Sequence, residues 1–224
     1  MRLKCLGSGS SGNCYILESP AEALIIEAGM PFMEVKKALD FNVAKIVGVI
    51  ITHQHGDHAK FAHEYKIAGI PTFKPYESEN LRQIRTYGGF TIKSFDVVHD
   101  VPCCGFLVTH EDMGRLLYVT DTEYVRYRFD GLVHILVEAN YSADLIGTHA
   151  ANHFHVLTGH MELQTTLNFL RANNSSELRN VVLCHLSANN ADPVMFRAEV
   201  EKVVWCPVWV ADKGVEVDVG LVPF

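Results

Sequence analysis

The chain has 224 residues, of which 48% are hydrophobic and 20% charged, and a formal net charge of −7. That length and apolar content suffice for one substantial core, while the acidic balance excludes a broad basic surface for duplex DNA. No apolar run approaches the roughly 18 residues of a membrane-spanning helix, and the opening segment turns at Gly7-Ser8 too early for a secretory apolar region, so a soluble, cytoplasmic protein without membrane contact is expected.

Apolar periodicity and turn residues lay out the elements. Short strands are predicted around 3–6, 14–17 and 23–26, followed by a helix over 32–39 behind Pro31. The run 47–51 reads as a buried strand, and a helical stretch is expected after Glu77. Strands follow near 90–95, 106–109, 116–120 and 134–138. A helix over 162–171 places Leu163, Leu167 and Leu170 on one face, and 181–184 is again a strand. Asp192 is placed to cap a helix beginning at Pro193, before final strands at 208–211 and 215–219. Two β-rich runs, each with helices, predict an α/β fold of two sheets packed face to face with helices outside. The six cysteines, at 5, 14, 103, 104, 184 and 206, follow no C-x-x-C spacing and are expected as free thiols, with Cys184 a weaker ligand candidate.

Chemistry concentrates behind the 47–51 strand, in Thr52-His53-Gln54-His55-Gly56-Asp57-His58. Neutral imidazole and carboxylate are the ligands that borderline divalent metals prefer. His53 and His55, two apart, project to one side of an extended chain. Asp57 and His58 reach a second position on the tight turn that Gly56 is expected to permit, so the spacing points to two metals. Such a motif cannot fill two coordination spheres, and His99, Asp121 and His185 each end an apolar run where strand meets loop. Each alone would be an ordinary turn residue; beside this motif they become the missing ligands.

With these residues in place, the chain resembles the metallo-β-lactamase-fold hydrolases, and within them the YycJ/WalJ-type exonucleases. The matching stretches are 6–13, 24–29, 52–58, 99–100, 118–122, 138–141, 159–160 and 185–187. The resemblance implies an αββα sandwich over residues 1–224 as a single domain without a β-CASP insertion. It implies that His53, His55 and His99 hold one divalent ion and Asp57, His58 and His185 the other, with Asp121 bridging. Zinc and manganese suit this set, and iron also fits. Glu27 stands where the family commonly has Asp, and is expected to support the ligand loop from behind.

Ser10, Ser11 and Asn13, in the Gly/Ser loop 7–13, are weaker candidates for substrate contact; on sequence alone the loop reads first as a plain turn, and without a Lys it is no P-loop. Asn140 and Tyr141 are weaker still. His160 either caps the helix that follows or serves as general acid, and His149, His153 and His155 are expected as exposed loop histidines. Asp57, Asp121 and His160 are the candidate catalytic residues. The implied activity is two-metal phosphodiester hydrolysis of a nucleic-acid end, 5′ to 3′. Hydrolysis of a cyclic or other small nucleotide, or of a thioester or lactone, is the alternative. Larger relatives of the RNase J type insert a domain between the counterparts of Asp121 and His185, for which residues 122–184 leave no room. No built-in nucleic-acid clamp is therefore expected, and a homodimer is one way to widen the groove.

Overall fold

The computed structural model describes residues 1–146 and 159–221. β1 (Arg2–Gly7), β2 (Cys14–Glu18) and β3 (Ala23–Ile26) form an antiparallel meander. After α1 (Phe32–Ala38), β4 (Ile46–Ile50) lies parallel to β3. α2 (Gly56–Ala59) and α3 (Ala62–Ile67) then lead to β5 (Thr72–Phe73), parallel to β4. β13 (Glu216–Asp218) returns to pair with β1, so the first sheet has the order β13-β1-β2-β3-β4-β5.

The second sheet begins as a meander of β6 (Ile84–Tyr87), β7 (Phe90–Asp96), β8 (Cys104–His110) and β9 (Gly114–Val119). β10 (His134–Glu138), β11 (Asn180–Cys184) and β12 (Val208–Val210) extend it in parallel, giving the order β12-β11-β10-β9-β8-β7-β6. α4 (Leu163–Asn173) and α5 (Pro193–Glu201) make the crossovers, as parallel neighbours require. Asp192 caps α5 as expected, accepting from the amides of Val194 and Met195.

Strand alternation sets the layering. In β3, Leu24 and Ile26 face the other sheet while Ala23 and Ile25 face α1 and α3. In β11, Val182 and Cys184 point to the same central core and Val181 and Leu183 to α4 and α5. Both faces are covered, which is why these strands read as unbroken apolar runs. Helix, sheet, sheet, helix is the αββα sandwich that the resemblance implies. The parallel strands share one consequence: segments leaving the carboxyl ends of β3, β4, β9, β10 and β11 gather at one edge of the sandwich.

Two expectations need correction. No helix follows Glu77: only a single turn at Pro75–Glu77 precedes β6, which pairs with β7 through the two-residue loop Gly88-Gly89. Gly88 takes φ +54° there, a hairpin signal that outweighs helix propensity across 78–87. Nor does a tight turn depend on Gly56, which opens α2 with a negative φ and open space around it. The six cysteines are free thiols, five of them buried.

Candidate metal centre

The sandwich edge brings together all seven ligands expected from the sequence. Donor atoms of His53, His55, His99 and Asp121 lie within 4.8 Å of one another, and so do those of Asp57, His58, Asp121 and His185. Asp121 belongs to both clusters. A third grouping joins Asp121 and His185 to Glu138 and His160. Cys184 points into the central core and joins none of these groupings.

Local backbone geometry aims these groups. Glu27, Asp121 and His185 each follow a strand and adopt left-handed φ values of 66°, 48° and 53°. Such conformations are costly for residues with a Cβ and persist only where the surroundings enforce them. The ligand loop is enforced by backbone contacts: the Asn13 amide donates to the Asp57 carbonyl (2.7 Å), and the Ala28 amide to that of His58 (2.7 Å). Gly29 lies so close beneath that a Cβ there would sit 1.7 Å from the Asp57 carbonyl oxygen. From the far end of the chain, the His185 amide donates to Ser8 Oγ (2.9 Å), which also accepts from the Tyr15 hydroxyl.

Imidazole orientation follows from what each Nδ1 touches. Glu27 is fully buried, and its Oε1 accepts from Thr52 Oγ1 (2.7 Å) and lies 3.4 Å from His58 Nδ1. Thr52 Oγ1 in turn is 2.9 Å from His53 Nδ1. Glu27 thus orients His53 through Thr52 and sets a carboxylate beside His58 Nδ1, which makes no hydrogen bond of its own, and each Nε2 is turned to the centre. His99 Nδ1 meets the Gly159 carbonyl (3.0 Å), and His185 Nδ1 meets Glu138 Oε1 (3.2 Å). Partners of this kind fix the tautomer that presents a lone pair to a metal.

The donor set fits divalent ions. His53 Nε2 is buried, has no hydrogen-bond partner and lies 3.6 Å from Asp121 Oδ2, a position that a cation between them would satisfy. Burial, reinforced by the neighbouring His58 charge, holds His53 down to about 2, so its imidazole is neutral and able to ligate. Asp57 and Asp121 both titrate below the ordinary carboxylate range: burial opposes this, but bonds from His185 and His58 outweigh it at Asp57, and the charges of His185 and His58 at Asp121. Against its own burial, His185 is pushed up to about 10 by Asp121, Asp57 and Glu138. The carboxylates demand positive charge that bound cations would supply.

Glu138, the fully buried last residue of β10, is the participant that sequence reasoning missed. It accepts from His160 Nδ1 (2.7 Å), from the amides of Met161 (3.1 Å) and Thr122 (3.2 Å), and faces His185. Its place as a lone acid ending a buried strand, at the head of the matching stretch 138–141, could have marked it. Its charge holds His160 above the usual imidazole range despite burial, and the His160 ring stacks on His185 at 5.3 Å. His160 does not cap the helix that follows; the N-cap of α4 is Glu162.

Ser10, His55, Asp57, His99, Asp121, His160 and His185 line a cavity of about 160 Å³ over the clusters. Asn13 is buried beneath, its Nδ2 2.9 Å from His58 Nε2, whereas Ser11 is exposed and outside the lining. Asn140 Nδ2 binds the His185 carbonyl (2.8 Å), a supporting contact. His149, His153 and His155 lie outside the described residues.

Comparison with known proteins agrees with this geometry. The family model for the metallo-β-lactamase superfamily matches residues 7–79. Exodeoxyribonuclease YycJ of Bacillus anthracis is 24% identical over 236 residues, covering 91% of this chain and 89% of that protein. Exodeoxyribonuclease WalJ of Streptococcus pneumoniae serotype 2 is 27% identical over 169 residues, 63% of each. Among solved structures, the metallo-β-lactamase-fold protein YhfI of Bacillus subtilis superposes with a TM-score of 0.69 at 19% identity, covering 96% of this chain and 98% of that one. By its two mixed sheets and its matched segment, the chain has the metallo-β-lactamase fold and is similar to the YycJ and WalJ exonucleases.

Proposed function

We propose that the chain is a two-metal phosphodiesterase that cuts nucleic acid from an end, in the 5′ to 3′ direction. The observation that carries this is Asp121, whose carboxylate belongs to both ligand clusters and so allows two ions to sit close together. Two bound divalent ions would supply hydroxide at neutral pH and neutralise charge building on a phosphoryl oxygen.

The chain's own residues divide the remaining work. His53, His55 and His99 would hold one ion, Asp57, His58 and His185 the other, and Asp121 both. Glu27, with Thr52, keeps His53 and His58 aimed. Glu138 holds the Nδ1 proton of His160, whose ring lines the cavity and is placed to give a proton to the leaving oxygen. Ser10 offers a hydroxyl to a non-bridging oxygen. A cavity of about 160 Å³ suits one phosphoryl group with its immediate substituents. Exodeoxyribonuclease relatives of low identity support a nucleic-acid substrate.

The test is metal analysis of purified protein with an activity panel in Mn²⁺ or Zn²⁺. About two equivalents of metal and cleavage of 5′-labelled DNA or RNA are expected. One equivalent with full activity would remove the two-ion basis. Turnover confined to cyclic nucleotides or to a thioester would replace the substrate class.

A further inference from the structure

Directly after Asp121 the chain reads Thr122-Glu123-Tyr124-Val125-Arg126-Tyr127-Arg128-Phe129, irregular in structure and alternating in exposure. Val125, Tyr127 and Phe129 turn inward onto the core outside the second sheet, against Phe95. Tyr124, Arg126 and Arg128 therefore face solvent, with Tyr124 48% exposed. Lys93 of β7 and Arg82 stand on the same surface, beside a depression of about 270 Å³ that Tyr127, Arg128 and Phe129 also line. Arg82 and Arg126 lie 5.6 and 6.0 Å from the centre of the Tyr127 ring. Of the nearby acids, Asp96 accepts from Arg82 (2.7 Å) and the Tyr127 hydroxyl (2.6 Å) and lies 3.7 Å from Arg126, while Glu123 and Asp130 flank the strip, so four cations face three carboxylates.

The strip is tied to the metal centre. The Glu123 amide donates to the Val98 carbonyl (3.1 Å) and the Val98 amide to Thr122 Oγ1 (3.1 Å), so it leaves the cavity between Asp121 and His99. In a chain of net charge −7, four cations interleaved with aromatic rings form a local exception beside the candidate cavity. We propose that this strip is a track for single-stranded nucleic acid: its cations meet successive phosphates and Tyr124 stacks on a base. Basic side chains along a backbone with aromatic platforms for bases are the general means of holding a single strand. The inference rests on the phosphodiesterase reading and supplies the clamp that the sequence did not reveal.

The test measures binding of the full chain to a fluorescent single-stranded oligonucleotide across salt concentrations, and turnover of bis(p-nitrophenyl) phosphate, which is too small to reach the strip. Each lost phosphate contact lowers the slope of log affinity against log salt by about 0.7, so Arg126→Gln with Arg128→Gln should weaken binding roughly tenfold near physiological salt. Turnover of the small ester should stay at the wild-type level. Arg126→Lys with Arg128→Lys should retain most binding, which separates charge from folding. Tyr124→Ala should weaken binding about fivefold or more. Wild-type affinity and slope in the Gln double variant would overturn the proposal, as would equally tight binding of polyglutamate by the wild type. Arginine-dependent binding without any phosphodiester turnover would instead retain the track and sink the hydrolase reading.

Discussion

Replacing Gly29 with alanine should pull the ligand loop off its position, and the size of the effect follows from the packing. The added Cβ would lie 1.7 Å from the Asp57 carbonyl oxygen and 2.6 Å from the Asn13 amide nitrogen, both backbone atoms with no rotamer to yield. Reaching even a tight contact near 3.0 Å moves the Asp57 backbone by about 1.3 Å. That shift strains the bonds from Asn13 to Asp57 (2.7 Å) and from Gly29 to Asn13 (3.0 Å). Overpacking of this kind costs about 1–3 kcal/mol, and two backbone bonds add about 1 kcal/mol each, for a loss of about 3–5 kcal/mol in urea unfolding. A ligand displaced by about 1 Å should cost about a hundredfold in kcat. Gly56→Ala is the control: nothing lies within 4 Å of its Cβ position, so stability should stay within about 1 kcal/mol of wild type. Gly29→Ala protein that retains about two equivalents of metal and wild-type turnover would refute the close-approach reasoning.

Other outcomes follow from the same site. Asp121→Asn should lower bound metal from about two equivalents towards one and reduce turnover at least about a hundredfold; unchanged turnover would end its bridging role. Glu138→Gln places an amide against the rings of His160 and His185, which both point Nδ1 at Oε1. Losing one charge-assisted bond should cost about 1.5–3 kcal/mol in urea unfolding, and turnover should fall about a hundredfold with a general acid misplaced. Away from the centre, the Arg82 hydrogen bond holds the Asp96 carboxyl down to about 2. Its folded pKa lies below the unfolded value, so this stabilisation is complete above about pH 4 and is lost as pH falls towards about 2. Asp96→Asn should therefore lower the thermal midpoint at pH 6, with the gap closing near pH 2; a constant gap would contradict the assignment.

Much of the architecture was legible because both faces of the parallel strands are covered, leaving apolar runs such as 134–138 and 180–184 that end abruptly in polar residues. The same abruptness exposed His99, Asp121 and His185. Other features depend on contacts that no local pattern encodes. Glu138 is one acid at a strand end until His160 and His185 fold against it. Gly29 differs from Gly56 only in what lies above it, so the motif's own glycine drew attention that belonged to the other. The β6–β7 hairpin was hidden because Ile84-Arg85-Thr86-Tyr87 is too short to declare itself before Gly88-Gly89 is taken as a turn. The cationic strip escaped because Arg82 and Lys93 lie far in sequence from Arg126 and Arg128.

The bond from the His185 amide to Ser8 Oγ joins residues 177 positions apart, and β1 pairs with β13 at the end of the described chain. During synthesis the His53–His58 loop emerges while the segment carrying His185 does not yet exist. At about 5–20 residues per second that interval lasts roughly 6–25 seconds. Over this time the nascent chain would carry only half of the candidate metal centre, its imidazoles open to any borderline ion nearby. Loading of the proposed two-ion site would then belong to the last stage of folding, and retention of both ions would report that β1 and the segment carrying His185 have met.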